Sequence, residues 1–326
     1  MAVLNVLMWH VHGSYTTSMV QLPHRLVLPY TPDRGHFGRG RATTWEWPKT
    51  AVEVDSLDLQ EEQIDVVVAQ RVDEIHLAQS WTGLRPGTDV PLIYLEHNTP
   101  PAPFARHPMA DRSDVLLVHV THFNQQMWDS GTTRTIVIEH GIPDPGHIWI
   151  GDMARGAVVV NDPIRRGKFV GTDLLSRFAP VDVFGMNVHE LAREGIHTFE
   201  NPPQIELHSE LAHRAVYIHP NRWTSLSLSL LEAMMLGMPV VAFATTEITR
   251  AVPSDAGIVS TSIAELVDGA RDLMNDQELA AHCGLAARRA AIARYNIHRF
   301  VDDWDRTLRA VTGTTVIDLT DSKVTV

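Results

Sequence analysis

The sequence predicts an α/β protein built of two doubly wound domains. Three observations point there. Short strand-like apolar runs alternate with helical stretches along most of the chain. The alternation pauses at a Gly- and Pro-rich stretch, residues 141–156, and then restarts. The length of 326 residues suits two cores at roughly 100–200 residues each.

In the first half, residues 3–11 form a continuous β-branched and apolar run, as in a parallel-sheet strand buried on both faces. Residues 64–69, 91–95, 115–120 and 135–138 read as further strands. Helices near 75–81 and 124–130 lie between them. Residues 28–50, rich in Pro, Gly and Arg, read as a long loop that could hold short strands. In the second half, strands are expected at 157–160, 181–184, 215–219 and 239–243. Helices are expected at 168–178, 206–213, 229–236, 262–275 and 276–295. The domains are expected at 1–148 and 149–297. A last helix, 298–312, carries Phe300, Trp304 and Leu308 as a packing stripe, read as returning to the first domain. The remainder, 313–326, reads as a mobile tail.

Apolar residues are 44% and charged residues 20% of the chain, enough for a core in each half. The formal charge of −12, from 27 basic and 39 acidic residues, disfavours nucleic acid, which needs a basic surplus. The single cysteine, Cys283, fits a reducing compartment and reads as a packing residue. Residues 1–8 read as a first strand rather than a signal peptide. No run approaches the ~20 apolar residues of a membrane span. A cytoplasmic location is expected, with peripheral membrane contact left open.

Residues 215–243 are the informative segment. A buried strand ends at His219-Pro220, a polar loop follows, and a helix starts near Ser229 and stops at Gly237. A helix N-terminus at the carboxyl end of a parallel strand favours a phosphate. Ser225, Ser227 and Ser229 add small hydroxyls. Glu232, three residues after Ser229, has two readings. It completes a capping box with Ser229 as N-cap, or it accepts both hydroxyls of a ribose.

The segment resembles the donor-site signature of retaining family-4 glycosyltransferases of the GT-B fold. Leu230-Leu231-Glu232-Ala233-Met234 and Gly237-Met238-Pro239-Val240-Val241-Ala242 match it. Thr224 stands where the family has the first Glu of its Glu-x7-Glu pattern, and Ser225-Leu226-Ser227 stands for its Gly-Phe-Gly. Arg166-Gly167 stands for Lys-Gly, flanked by Arg165 and Lys168. The family's upstream basic residue falls near Asn161-Asp162, neither of which is basic. Residues 183–187 resemble the strand-to-glycine turn at Gly185, and residues 205–218 the helix and strand beside the base. Residues 136–143 resemble the strand and turn that close the first domain. The likeness is strong over 135–300 and weak before that.

The resemblance implies two Rossmann-like domains facing a central cleft. It implies transfer of a sugar from a UDP- or GDP-sugar with retention, with no required metal. The acceptor is left undefined: a saccharide, a lipid-linked group or a small molecule. The implied donor site comprises Gly13, Ser14, Arg165, Arg166, Lys168, Gly185, Leu207, Thr224, Ser225, Leu226, Ser227, Leu228, Ser229, Leu230 and Glu232. Gly13-Ser14 would be the glycine loop under the phosphates, and His97 would stand over the sugar as the catalytic residue. By position alone, His97 ends a buried strand and opens a Pro-rich loop.

Other features have competing readings. His10 and His12 share a strand face and could bind a metal, or line a cleft. Trp45-Glu46-Trp47 and the arginines of 34–41 suit a solvated loop or acceptor recognition. Arg288-Arg289 reads as a solvated face. Thr224 and Asp162 keep one alternative alive, a non-catalytic nucleotide-sugar-binding subunit. An epimerase or hydrolase of the same architecture is the other alternative, and Thr224 counts against it, because such enzymes need acidic groups near the sugar.

Overall fold

A computed structural model describes residues 2–43 and 45–313; the expected tail, beyond Gly313, lies outside them. The chain divides into two compact units. One comprises residues 1–141 with 297–326, the other residues 142–296.

The first unit holds a seven-stranded parallel sheet. Its elements are β1 (Asn5–Met8), α1 (Gly13–Met19), β2 (Arg25–Tyr30), β3 (Ala51–Asp55), β4 (Val66–Ala69), α2 (Val72–Thr82), β5 (Leu92–Glu96), β6 (Val115–His119), α3 (His122–Met127) and β7 (Arg134–Val137). The strand order is β3-β2-β1-β4-β5-β6-β7. The order reverses between β1 and β4, where the loops at the strands' carboxyl ends part and leave a crevice.

The second unit holds a six-stranded parallel sheet. Its elements are β8 (Met153–Val159), α4 (Pro163–Arg166), β9 (Val181–Gly185), β10 (Ile196–Glu200), α5 (Gln204–His213), β11 (Arg214–His219), α6 (Leu228–Leu236), β12 (Val240–Phe243), α7 (Ile248–Ala251), β13 (Gly257–Ser260), α8 (Ile263–Asn275) and α9 (Gln277–Tyr295). The order is β10-β9-β8-β11-β12-β13, reversing between β8 and β11. Helix α6 is the centre of this unit, with every residue from Leu230 to Leu236 buried. Gly237 closes it in the left-handed conformation, φ 92°. A Cβ on Gly284 of α9 would strike the Gly237 carbonyl, so the two backbones approach at glycine.

The chain then returns to the first unit as α10 (Ile297–Val311). Its stripe is fully buried: Phe300, Trp304 and Leu308 are each 0% exposed. The Trp304 indole donates to the Tyr15 hydroxyl of α1 at 3.1 Å.

One sequence reading is filled in and three are corrected. Residues 28–50, read as a long loop with room for short strands, hold the end of β2, which runs to Tyr30 through Pro29. A proline is tolerated there because the β1 ladder ends at the Leu7–Val27 pair, so no amide is needed from residue 29 on that side. The Gly- and Pro-rich stretch 141–156 ends inside a strand, since β8 starts at Met153. Residues 168–178 are not one α-helix. They form two 3₁₀ segments, Gly167–Val170 and Thr172–Phe178, broken at Gly171 with φ 73°. Residues 13–14 are not a loop but the first two residues of α1.

The α10 anchor gives a stability prediction. Trp304→Ala removes a fully buried indole and is expected to cost about 3–5 kcal/mol in urea unfolding of the whole chain. A loss under about 1 kcal/mol would mean the helix is not an integral part of the first unit's core.

Candidate functional site

In the second unit the candidate residues gather where the strand order reverses. The loop after β8 carries Asn161-Asp162, β11 ends at His219 with Pro220 opening its loop, and α6 begins just downstream. The N-cap of α6 is Ser227, in extended conformation, and its side chain makes no capping bond. The first intrahelical amide bond runs from Leu231 to the Ser227 carbonyl at 3.4 Å. The amides of Leu228, Ser229 and Leu230 precede it and have no acceptor within the helix. Together with the helix dipole they form a positive pole.

The capping-box reading of Ser229 and Glu232 is overturned. Ser229 lies inside the helix. Its hydroxyl meets the buried Tyr217 hydroxyl at 2.9 Å and the Ser227 hydroxyl at 2.7 Å. Glu232 does not reach back to the N-cap. It is 4% exposed, and its carboxylate lies 3.6 Å from Nε2 of His208 on α5. The His208 ring is 2.8 Å from the Gln204 amide. Leu207, Leu226 and Leu230 bury their side chains in the core beneath, so any ligand contact from them would be through main chain.

The cations differ in availability. Arg165 is exposed and paired with Asp162 at 3.0 Å. Asp162 also accepts from the Asn187 amide at 2.6 Å. Arg166 is half-buried and has no carboxylate within ion-pair distance among the described residues. Burial, then the neighbouring Arg165, lower its pKa from the usual guanidinium value. Lys168 is exposed, and its carbonyl accepts from Arg222 at 2.8 Å. Arg222 also grips Asp173 bidentately at 2.7 and 3.0 Å, tying the 3₁₀ segment to the loop before α6. Thr224 accepts from the Asn221 side chain at 3.1 Å. Ser225 is half-buried between it and Leu226. Gly185 ends β9 at φ 138°, where a Cβ would fall on the Val160 carbonyl.

The other candidates belong to the first unit. Gly13 and Ser14 open α1 behind the N-cap His12. His97 follows β5. Its Nε2 is 2.9 Å from the Gln70 side-chain oxygen. The rings of His12 and Tyr15 meet it edge-on, each with centroids 4.6 Å away. Burial, then the neighbouring His12 and His140, hold the His97 pKa well below the usual imidazole value.

The paired-histidine metal reading finds no such pair on a strand. His10 and His12 lie beyond β1. His10 Nδ1 is 3.1 Å from the Gly40 carbonyl, and His12 packs on His97. Among the described residues, no three His, Cys, Asp or Glu stand together as a metal site. Trp47 is buried rather than solvated, donating to Thr17 at 2.9 Å. The loop cations are engaged within the loop and its sheet: Arg34 pairs with Glu53 at 2.6 Å, and Arg41 donates to the Trp47 carbonyl at 2.7 Å. Arg288 is no solvated face either, since it pairs with Asp144 at 2.8 Å. Cys283 is a buried core residue whose thiol pKa burial raises. No helix among the described residues is long and apolar enough to cross a membrane.

Sequence reasoning missed Gln70, His208 and His219. Each had a positional signal, because Gln70 directly follows a buried strand, His219 ends one, and His208 is one residue past Leu207. His219 is 2% exposed, and burial, then Arg166, push its pKa down to about 4.

The family model for glycosyl transferases group 1 matches residues 189–290. No curated protein matches the sequence. Solved structures share the fold over nearly the whole chain. A sucrose-phosphate synthase from Thermosynechococcus elongatus is similar with a TM-score of 0.70 at 12% identity, over 96% of this chain and 100% of that one. A glycosyltransferase from Rickettsia africae has a TM-score of 0.68 at 12% identity, over 97% and 100%. HepE from Anabaena, in complex with UDP-glucose, has a TM-score of 0.65 at 14% identity, over 94% and 100%. The chain thus shares with these structures a fold of two Rossmann-like domains, each with a parallel sheet.

The depressed His219 makes stability depend on pH. Its folded pKa lies near 4 against an ordinary 6.5, so the unfolded chain takes up the proton first. This contribution is complete above pH 6.5 and is lost as pH falls towards 4. It amounts to roughly 3 kcal/mol at ~1.4 kcal/mol per pK unit. His219→Gln should flatten the stability profile across that window in urea titrations. An unchanged slope between the two proteins would refute the assignment.

Proposed function

We propose that the protein transfers a sugar from a nucleoside diphosphate-sugar, UDP- or GDP-linked, to an acceptor hydroxyl, with retention of configuration. The reading is carried by one observation. A buried carboxylate, Glu232, stands one turn inside a helix whose first amides have no intrahelical acceptor, and it takes no part in capping. The group 1 family match over this segment and the fold shared with a UDP-glucose complex support it.

In this reading Glu232 accepts the two ribose hydroxyls, since a vicinal diol offers two donors to one carboxylate. The amides of Leu228, Ser229 and Leu230 hold phosphate oxygens, with the Ser227 and Ser229 hydroxyls beside them. Arg166, with no carboxylate at ion-pair distance among the described residues, meets the diphosphate, with Lys168 adding a second cation. Gly185 and the Leu207 backbone flank the base. These charges and amides stabilise the diphosphate as it leaves, which is the main catalytic contribution. His97, neutral, accepts a sugar hydroxyl, and Gly13 and Ser14 supply amides at the start of α1.

A second reading is a binding subunit without turnover. Thr224 favours it, because the residue engages Asn221 and offers no carboxylate to the sugar. Release of nucleoside diphosphate across a panel of UDP- and GDP-sugars separates the possibilities. Turnover that requires an acceptor supports transfer, turnover without one supports hydrolysis, and binding without turnover supports the second reading.

Glu232→Ala is expected to weaken nucleotide binding about 10- to 100-fold, the worth of charge-assisted hydrogen bonds. Calorimetric titration with UDP and GDP measures this, and unchanged affinity for both would sink the ribose assignment. Arg166→Ala should lower kcat/KM by roughly tenfold or more while leaving the fold intact, as a lost phosphate contact would.

A further inference from the structure

We propose that Gln70 is a positioning residue that fixes the tautomer of His97, keeping the proton on Nε2 and leaving Nδ1 as the ring's acceptor. The proposal rests on the reading of His97 as a sugar-hydroxyl acceptor and names what makes it one.

Trp9, Gln70 and His97 follow the carboxyl ends of β1, β4 and β5, which are neighbours in the sheet. Gln70 sits in the middle and spans the other two. Its amide nitrogen lies 2.8 Å from the Trp9 carbonyl oxygen. A carbonyl can only accept, so the amide nitrogen must face it. The amide oxygen therefore faces His97 Nε2, at 2.9 Å. An oxygen acceptor requires a hydrogen on that nitrogen, and a neutral imidazole carries only one.

The clamp is itself held. Gln70 is 7% exposed, and its backbone amide donates to the Glu74 carboxylate at 2.6 Å. Glu74 is fully buried and also binds Arg71 through Nε at 2.6 Å. The Asn124 side chain donates to the His97 carbonyl at 3.3 Å, fixing the backbone end of the ring. The groups facing the ring from other elements are His12, Tyr15 and His140, none of them an anion. None of these three would take the Nε2 proton as a carboxylate would, or favour the cation. A buried, uncharged acceptor is what such surroundings stabilise.

The test has a spectroscopic and a kinetic arm. Long-range proton–nitrogen spectra of histidine-labelled protein report which ring nitrogen is protonated, with the His97 signals identified by their loss in His97→Gln. The wild type should show Nε2 protonated and Nδ1 bare. Gln70→Met keeps the side-chain length and removes both hydrogen bonds. It should give a mixture of tautomers and a kcat lowered roughly tenfold, with the donor KM little changed. A proton on Nδ1 in the wild type overturns the proposal. So does a Gln70→Met protein with the wild-type tautomer, or with wild-type kcat while His97→Gln is inactive. If His97→Gln retains full turnover, the role of His97 falls first and the proposal with it. In a chain that binds without turnover, the tautomer spectrum decides.

Discussion

The burial of α6 is the constraint on which the second unit depends. Seven consecutive residues of the helix are shielded from water, so it cannot slide or rotate without opening the core on several sides. One end is pinned where Gly237 and Gly284 bring two backbones together. At the other end the first amides have no acceptor within the helix. Fixing a helix by its apolar body and its carboxyl end holds its amino end, and Glu232 behind it, in a set position without any help from a ligand. Preorganisation of this kind is what charge stabilisation requires, because the dipoles need no rearrangement when charge develops.

The first unit reaches a similar result by different means. Its candidate groups lie on segments just beyond strand ends, where backbone order falls off. Side-chain hydrogen bonds replace the missing ladder. Glu74 ties the turn after β4, Gln70 ties that turn to the ends of β1 and β5, and Asn124 ties the His97 backbone. The aromatic packing of Tyr15 between His97 and α10 joins this cluster to the core. A loop edge stiffened by buried polar bonds is a costly arrangement when any one bond is lost, since the orphaned partner remains in a dry environment.

Much of this was legible in the residues. Interior strands announced themselves as β-branched runs, and the long helices by their periodicity. The strands that escaped notice were β2, β3, β10 and β13. The last three are sheet edges, paired on one side only, and their sequences carry polar residues such as Glu53, His197 and Ser260 that a two-faced buried strand would not. β2 was hidden by Pro29, whose harmlessness depends on where the neighbouring strand stops. Local composition holds no record of that. The location of the candidate site was legible from residues 215–243, yet its internal wiring was not. Ser229 and Glu232 have the spacing of a capping box, and only an N-cap two residues earlier, at Ser227, changed their roles. Gln70 was invisible because its partners, Trp9 and His97, come from elements 61 and 27 residues away.

The hydroxyls of Tyr217, Ser229 and Ser227 form a cluster at the start of α6. A hydroxyl both donates and accepts, and its hydrogen turns about the C–O bond. Such a cluster can present hydrogens to an acceptor, such as a phosphate oxygen, or lone pairs to a donor, by rotating O–H bonds and without moving a heavy atom.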